Sequence, residues 1–232
     1  MKRSTAKEIM DSPDNPRELL EDDLRNLRIL NRYLGNHRAV LSGLARLIEE
    51  QKLSRFSLLD VGTGSGDIPV LIAAWAQRKQ LSAELIALDV EPETLRAAVN
   101  QSRDYPEIAV VRGDGQALPF AADSVDFVLS SQMLHHFSEE DIINLLRSWS
   151  GVARRAIIVS DLVRHPVAYH GIRLLTKLFT RNVMTRTDGP LSVQRAFTLK
   201  EWHELFERAG IGSFRLFPTF PFRQITLISV AD

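Results

Sequence analysis

Cysteine is absent from the 232-residue chain, which excludes disulfide bonds, a thiolate nucleophile and thiolate-held metals together. Net charge is absent as well: 29 Lys and Arg residues balance 29 Asp and Glu residues, so no global field draws the protein toward nucleic acid. No segment interleaves basic and aromatic residues in the manner of a nucleic-acid-binding surface. Long apolar runs are also missing. The longest, Ile68 to Ala76, falls well short of the roughly 18 residues that a membrane helix requires. The opening MKRSTAKEIMD carries positive charge with no apolar stretch behind it, unlike a secretory signal, so a cytoplasmic location is expected. What remains is ordinary for a globular chain, with 44% apolar and 25% charged residues. The length suits one core with additions rather than two complete domains.

Residues 1–16 are polar and interrupted by Pro13 and Pro16, which predicts a loose or partly ordered lead. Leu20, Leu24, Leu27, Leu30 and Leu34 then recur at helical spacing up to Gly35, and Val40, Leu41, Leu44, Leu47 and Ile48 mark a second helix. Both precede the first strand and are expected to form a cap. After them the period changes. FSLLDV (56–61), ELIALDV (84–90), IAVV (108–111), VDFVLSS (125–131) and AIIVSDLV (156–163) are short apolar runs of the kind that form buried parallel strands. Helical stretches alternate with them, two opening near Pro69 and Pro92, and capping boxes are expected at Ser138–Asp141 and Thr198–Glu201. The expected fold is therefore α/β and doubly wound, with a mostly parallel sheet. SFRLF (213–217) and QITLISV (224–230), linked by a turn from Pro218 to Pro221, read as a terminal antiparallel hairpin. An insertion after the fifth strand, residues 161–198, holds a predicted helix from Pro166 to Phe179 and is long enough to act as a lid. The domain reading is thus a lead and cap over 1–51, followed by the main domain over 52–232.

The sharpest motif is LLDVGTGSGD, residues 58–67, which puts Gly62, Gly64 and Gly66 between a strand and a helix. Its G-x-G-x-G spacing differs from the G-x-G-x-x-G of dinucleotide pyrophosphate sites, which argues against a nicotinamide-dependent oxidoreductase. Asp60, just before the first glycine, disfavours an anion and favours a ligand carrying an ammonium or sulfonium group. Asp89 ends the next strand, where a carboxylate can accept from both hydroxyls of a ribose. Asp114, in Arg112-Gly-Asp-Gly115, follows the third strand and can accept from an adenine amine. Three strand tips thus converge on one adenosyl-sized ligand. Gln132-Met-Leu-His135-His136-Phe137 follows the fourth strand at the same edge.

These blocks, with LIALDVEPE, GDGQALPFAADSVDFVLSSQMLHHF and the late helix FTLKEWHELFERAG, resemble the class I S-adenosylmethionine (SAM)-dependent methyltransferases, in particular their UbiE-like, type 11 small-molecule group. The resemblance implies a Rossmann-like, seven-stranded sheet and SAM as cofactor. It implies that the loop of Gly62, Gly64 and Gly66 holds the methionine portion, and Thr63 and Asp60 are expected at the same site. Asp89 with Val90 would hold the ribose, Asp114 with Gly115 would face adenine, and Ser130 on the fourth strand is expected among the cofactor-binding residues. The Asn-Pro-Pro-aromatic tetrad of base-directed amino methylation is replaced here by Ser130-Ser-Gln-Met. The expected acceptor is a small aromatic or apolar molecule, with O-methylation of a phenol, quinol or polyketide-like ring foremost. C-methylation of such a ring and a non-catalytic SAM-fold subunit are the alternatives. His135, with His136 as fallback, is the expected base or acceptor-orienting group, because a hydroxyl must lose its proton on methylation. No metal is expected.

Overall fold

The structure is a computed structural model that describes residues 1–12 and 14–230. Pro13 of the lead, and residues 231–232 at the end of the expected main domain, lie outside the described residues. Seven strands form one sheet: β1 (Arg55–Val61), β2 (Ser82–Asp89), β3 (Ile108–Arg112), β4 (Val125–Ser131), β5 (Ala153–Leu162), β6 (Phe214–Thr219) and β7 (Arg223–Ser229). Their order is β3-β2-β1-β4-β5-β7-β6. The first five strands run parallel, while β7 pairs antiparallel with both β5 and β6. Central strands are apolar at consecutive positions because both faces of the sheet are covered. Val128 and Leu129 of β4, and Ile157 and Ile158 of β5, are all fully buried although neighbours point to opposite faces.

Helices α5 (Glu139–Val152) and α8 (Leu199–Ala209) cover one face, burying Trp149, Trp202 and Phe206 against it. Their starts follow from local chemistry. The Thr198 hydroxyl accepts from Glu201 N while the Glu201 carboxylate accepts from Thr198 N, so α8 has the expected capping box, and Gly210 ends it at φ 64°. At α5 only half of the expected box forms: Ser138 caps Asp141 N, but the Asp141 carboxylate turns to accept from the Ser138 hydroxyl at 2.6 Å.

The other face is covered by α2 (Asn36–Glu50) and α3 (Asp67–Arg78), with α4 (Pro92–Ser102) beside β2 and β3. Here the structure corrects the expected cap. Helix α2 is a core layer against β5 and β7, and a methyl group at Gly43 would come within 2.5 Å of Ile225 Cδ1, so glycine permits that approach. Only α1 (Arg17–Tyr33) lies over the carboxyl edge of the strands, with Leu20 and Leu24 buried against Met184. In the insertion, α6 (Pro166–Phe179) has the predicted bounds, and a further helix, α7 (Val183–Arg195), packs against both α6 and α1.

The expectation of a loose lead is also overturned. Ser4 N donates to Gln194 O, Arg3 stacks on the Phe197 ring and donates to Phe137 O at 2.8 Å, and Ile9 N and Met10 N both donate to the Asp188 carboxylate at 2.9 Å. Polar composition misleads at this point because the lead is anchored through backbone groups and single charges, with Ile9 and Met10 its apolar contacts to Leu20, Leu24 and Met184.

Candidate active site

The glycine loop that follows β1 is built on left-handed backbone. Gly62, Gly64 and Gly66 have φ of 72°, 54° and 76°, a region that costs any L-residue about 1–2 kcal/mol. A side chain at Gly62 would also meet Met133 Sδ at 2.3 Å. Gly62 N and Thr63 N donate to Leu88 O, which ties the loop to β2, and Gly64 N donates to Asp89 Oδ2 at 2.8 Å. Glu91 N donates to the other Asp89 oxygen at 3.0 Å, so this carboxylate is held rigidly at the strand tip with one lone pair on each oxygen still free.

Beneath the loop lies an unusual group of buried polar atoms. Both carboxylate oxygens of Asp60, the Thr63 hydroxyl and the Ser130 hydroxyl are buried and have no hydrogen-bond partner among the described residues. Burial pushes the Asp60 carboxyl up to about 7 against the pull of the neighbouring Thr63 hydroxyl, which does not reach it in hydrogen-bond geometry, and the Asp67 and Asp89 charges add to the rise. Orphaned buried acceptors are costly and in native proteins mark a place where a donor or a cation belongs.

Asp60, Gly62, Thr63 and Gly64 line a cavity of about 150 Å³ together with His135 and His136. The other expected residues stand outside its lining. Gly66 begins α3, Ser130 is buried in β4 beside Val61, and Asp89 is joined to the cavity only through Gly64. Val90 is half-exposed, and Asp114 is exposed on a turn where its own carboxylate caps Gln116 N at 2.8 Å. Gly115 faces Val61, whose Cγ1 would sit 2.7 Å from a methyl group placed there. Val90, Asp114 and Gly115 therefore mark the outer lip at the tips of β2 and β3.

Across the cavity the two histidines are held firmly. His135 is 3% exposed, with Nδ1 at 2.7 Å from Asp161 Oδ1 and its backbone N donating to the other Asp161 oxygen. His136 Nδ1 lies 3.1 Å from Asp11 Oδ1. The Nε2 atoms of both rings face Glu8, at 3.8 Å and 3.7 Å. Glu8 is buried, which pushes its carboxyl up to about 7 against the pull of His136, the Ser192 hydroxyl and Arg195. Burial also opposes ionisation of Asp11, but the bond and charge of His136, the Glu8 N–H and Arg195 outweigh it and bring that carboxyl down to about 2. Glu8, His135 and His136 each offer a donor atom within 4.8 Å of the others, a set that a metal ion can use. Arg195 already stands 4.0 Å from Glu8, and the Ser192 hydroxyl donates to it at 2.9 Å, so the chain supplies its own positive charge and donor there.

Glu8, Asp161 and Arg195 are site residues that the sequence reading missed. Asp161 had a signal, a lone charge closing the apolar run of β5 at the ligand edge. Glu8 had none, since one acid in a polar lead has no period to betray it.

A second, apolar cavity of about 320 Å³ adjoins the first and shares Leu27, Asn31, Gln132, Leu162, Gly189 and Ser192 with it. Its walls are Leu30 and Leu34 of α1, Val167, Ile172 and Leu175 of α6, Val193 of α7, and Pro221 and Phe222 before β7. Where the two cavities meet, Arg223 donates to Gln132 Oε1 at 2.8 Å and to Leu34 O at 2.7 Å, Gln132 donates to Asn31, and Asn31 donates to Asp67. Burial pulls the Arg223 guanidinium down to about 10, against the opposing charge of Asp161.

A methyltransferase domain family matches residues 58–156, which run from β1 through the glycine loop into β5. Over those residues the chain is similar to the class I SAM-dependent methyltransferases. Among curated relatives, an uncharacterized methyltransferase-like protein of Schizosaccharomyces pombe is 28% identical over 179 residues, 77% of this chain and 60% of its own length. A demethylmenaquinone methyltransferase of Roseiflexus sp. is 32% identical over 117 residues, 49% of this chain and 46% of its own length. The chain thus spans less than two thirds of either relative. Among solved structures, human N-acetylserotonin methyltransferase in complex with SAM has a TM-score of 0.67 at 20% identity, covering 97% of this chain and 58% of that one.

SAM, the cofactor of this family, suits the donor set present here. The unpartnered Asp60 oxygens favour a cationic ligand, the bare backbone from Gly62 to Gly66 admits close approach, and Asp89 retains acceptors for two hydroxyls. Helix α1, the insertion and the lead together wall the candidate site.

Proposed function

We propose that the protein transfers a methyl group from SAM to an oxygen of a small aromatic acceptor such as a phenol, quinol or polyketide-like ring. The observation that carries this reading is the junction of the two cavities. A polar chamber under the glycine loop, holding the buried His135–Asp161 pair, opens directly into an apolar chamber of about 320 Å³. The relative named for demethylmenaquinone supports a ring of the quinone type.

When bound, SAM supplies a methyl group on a cationic sulfur, so transfer is an in-line displacement that gains from alignment and a dry chamber. On this reading Gly62, Thr63 and Gly64 cradle the methionine portion, Asp60 favours its positive charge, and Asp89 accepts from the ribose. Asp114, with Val90 and Gly115 on the outer lip, faces adenine, and Ser130 closes the floor. Asp161 accepts from His135 Nδ1, which leaves Nε2 as the atom that takes the acceptor's proton or holds its oxygen in line. His136 stands beside it as the fallback, with its rotation fixed by Asp11.

Incubation with SAM and a panel of phenols and quinols, followed by mass spectrometry for S-adenosylhomocysteine and the methylated ring, tests the reading. Release of both products with an O-methyl group supports it; a methyl on ring carbon moves the reaction to the alternative class. His135→Gln should leave SAM affinity intact and slow turnover about a hundredfold or more. Full turnover by that variant removes His135 from the chemistry.

A further inference from the structure

Helix α6 leaves an apolar stripe facing solvent. Val167, Leu174 and Leu178 are 59%, 59% and 67% exposed, and Phe179 at the helix end is 80% exposed. With exposed Gly171, positions 167, 171, 174 and 178 share one helix face. The adjoining face, with Ile172 and Leu175, lines the apolar cavity, so the apolar arc of α6 runs from the cavity out into solvent, where a helix at a protein surface presents polar residues.

The charges around the stripe have one sign. Arg173, Lys177, Arg181 and Arg186 are exposed, and none has a carboxylate within 4.0 Å among the described residues. From Leu162 to Thr187 the sequence contains no Asp or Glu, although the chain as a whole is balanced at 29 of each sign. An exposed apolar stripe flanked only by cations is the pattern of a helix that lies in a membrane surface. A second copy of this chain seated symmetrically on the face would bring the same cations against one another.

We propose that α6 docks the enzyme on an anionic bilayer, with Leu174, Leu178 and Phe179 in the headgroup–acyl boundary and the four cations among the lipid phosphates. Val167 and Gly171 are both exposed and part of the cavity wall, so the apolar chamber opens on the docked face. A ring acceptor carrying a hydrocarbon tail then passes from lipid to the methyl donor without crossing water. This passage rests on the apolar chamber being the acceptor pocket; the docking does not.

Co-sedimentation of the full chain with phosphatidylcholine vesicles, with and without phosphatidylglycerol, tests the proposal. Binding is expected on the anionic vesicles only and should weaken as salt rises. Arg173→Glu and Lys177→Glu should each lower the partition coefficient about fivefold or more, and the triple variant Leu174→Ser, Leu178→Ser, Phe179→Ser should abolish binding. All variants should keep wild-type SAM affinity in calorimetry, which shows that the fold is intact. Equal sedimentation with both lipids, no sedimentation, or undiminished binding by the triple variant overturns the proposal. So does a wild-type dimer in sedimentation velocity that the triple variant splits, because the face then covers a second copy. Anionic-vesicle binding without turnover of any ring acceptor leaves the docking standing and refutes the acceptor reading alone.

Discussion

SAM binding should release a proton, and Asp60 should be its source. In the free protein burial raises this carboxyl to about 7, so it is largely neutral at pH 6. The positive charge of SAM favours the carboxylate form, and binding therefore drives ionisation. With a free-protein value of about 7 and tight binding only to the ionised form, affinity should rise about 15-fold from pH 5.5 to pH 7 and then level off. The range stops below the titration of an α-amino group, so the ligand's own amine adds little. Calorimetry at pH 6 in buffers of different ionisation enthalpy should show about 0.9 proton released per SAM bound. Glu8 titrates in the same range and lines the same cavity, so the measurement needs two controls. Glu8→Gln should leave the proton release in place, whereas Asp60→Asn should remove it and weaken binding. A pH-independent affinity in the wild type, or proton release that survives in Asp60→Asn, would refute the assignment.

Two further substitutions separate the parts of the cofactor site. Asp89→Ala removes the acceptor held at the tip of β2 and should abolish measurable SAM binding in calorimetry; retained affinity would reject the ribose assignment. Gly62→Ala forces a side chain into left-handed backbone and to within 2.3 Å of Met133 Sδ. It should cost about 1–2 kcal/mol of stability from the backbone alone, read by urea unfolding, and SAM binding should fall with it. An Ala variant as stable as the wild type would show that the loop relaxes freely.

The parts of the fold most legible in the sequence are those where burial is complete. Strands β1, β4 and β5 announce themselves as unbroken apolar runs because helices cover both faces. Helix α6 is bounded by Pro166, which suits a first helical position, and the structure keeps those bounds. Helix α7 was not legible. It carries Gly189 and Pro190 in its interior, both poor helix residues, and its apolar positions define no stripe. The Asn182 side chain, which accepts from Thr185 N at 3.1 Å, was the one local sign of its start. Periodicity likewise identified α2 as amphipathic but could not say which surface receives its apolar face, so a core helix read as a cap. The residues proposed for the cofactor could be located in the sequence because each lies at a strand tip within one βα unit. Glu8 and Arg195 were not, because 187 positions of sequence separate them and only the fold brings them within 4.0 Å.

That division of labour has a consequence for redesign. The proposed nucleoside grip is made by local turns that succeed one another along the first half of the sheet, while the opposing wall is contributed by the chain's opening residues and by the excursion between β5 and α8. Grafting a different opening segment and excursion onto the same frame would exchange the acceptor and leave the methyl supply untouched, provided that the graft keeps a carboxylate for each imidazole to lean on.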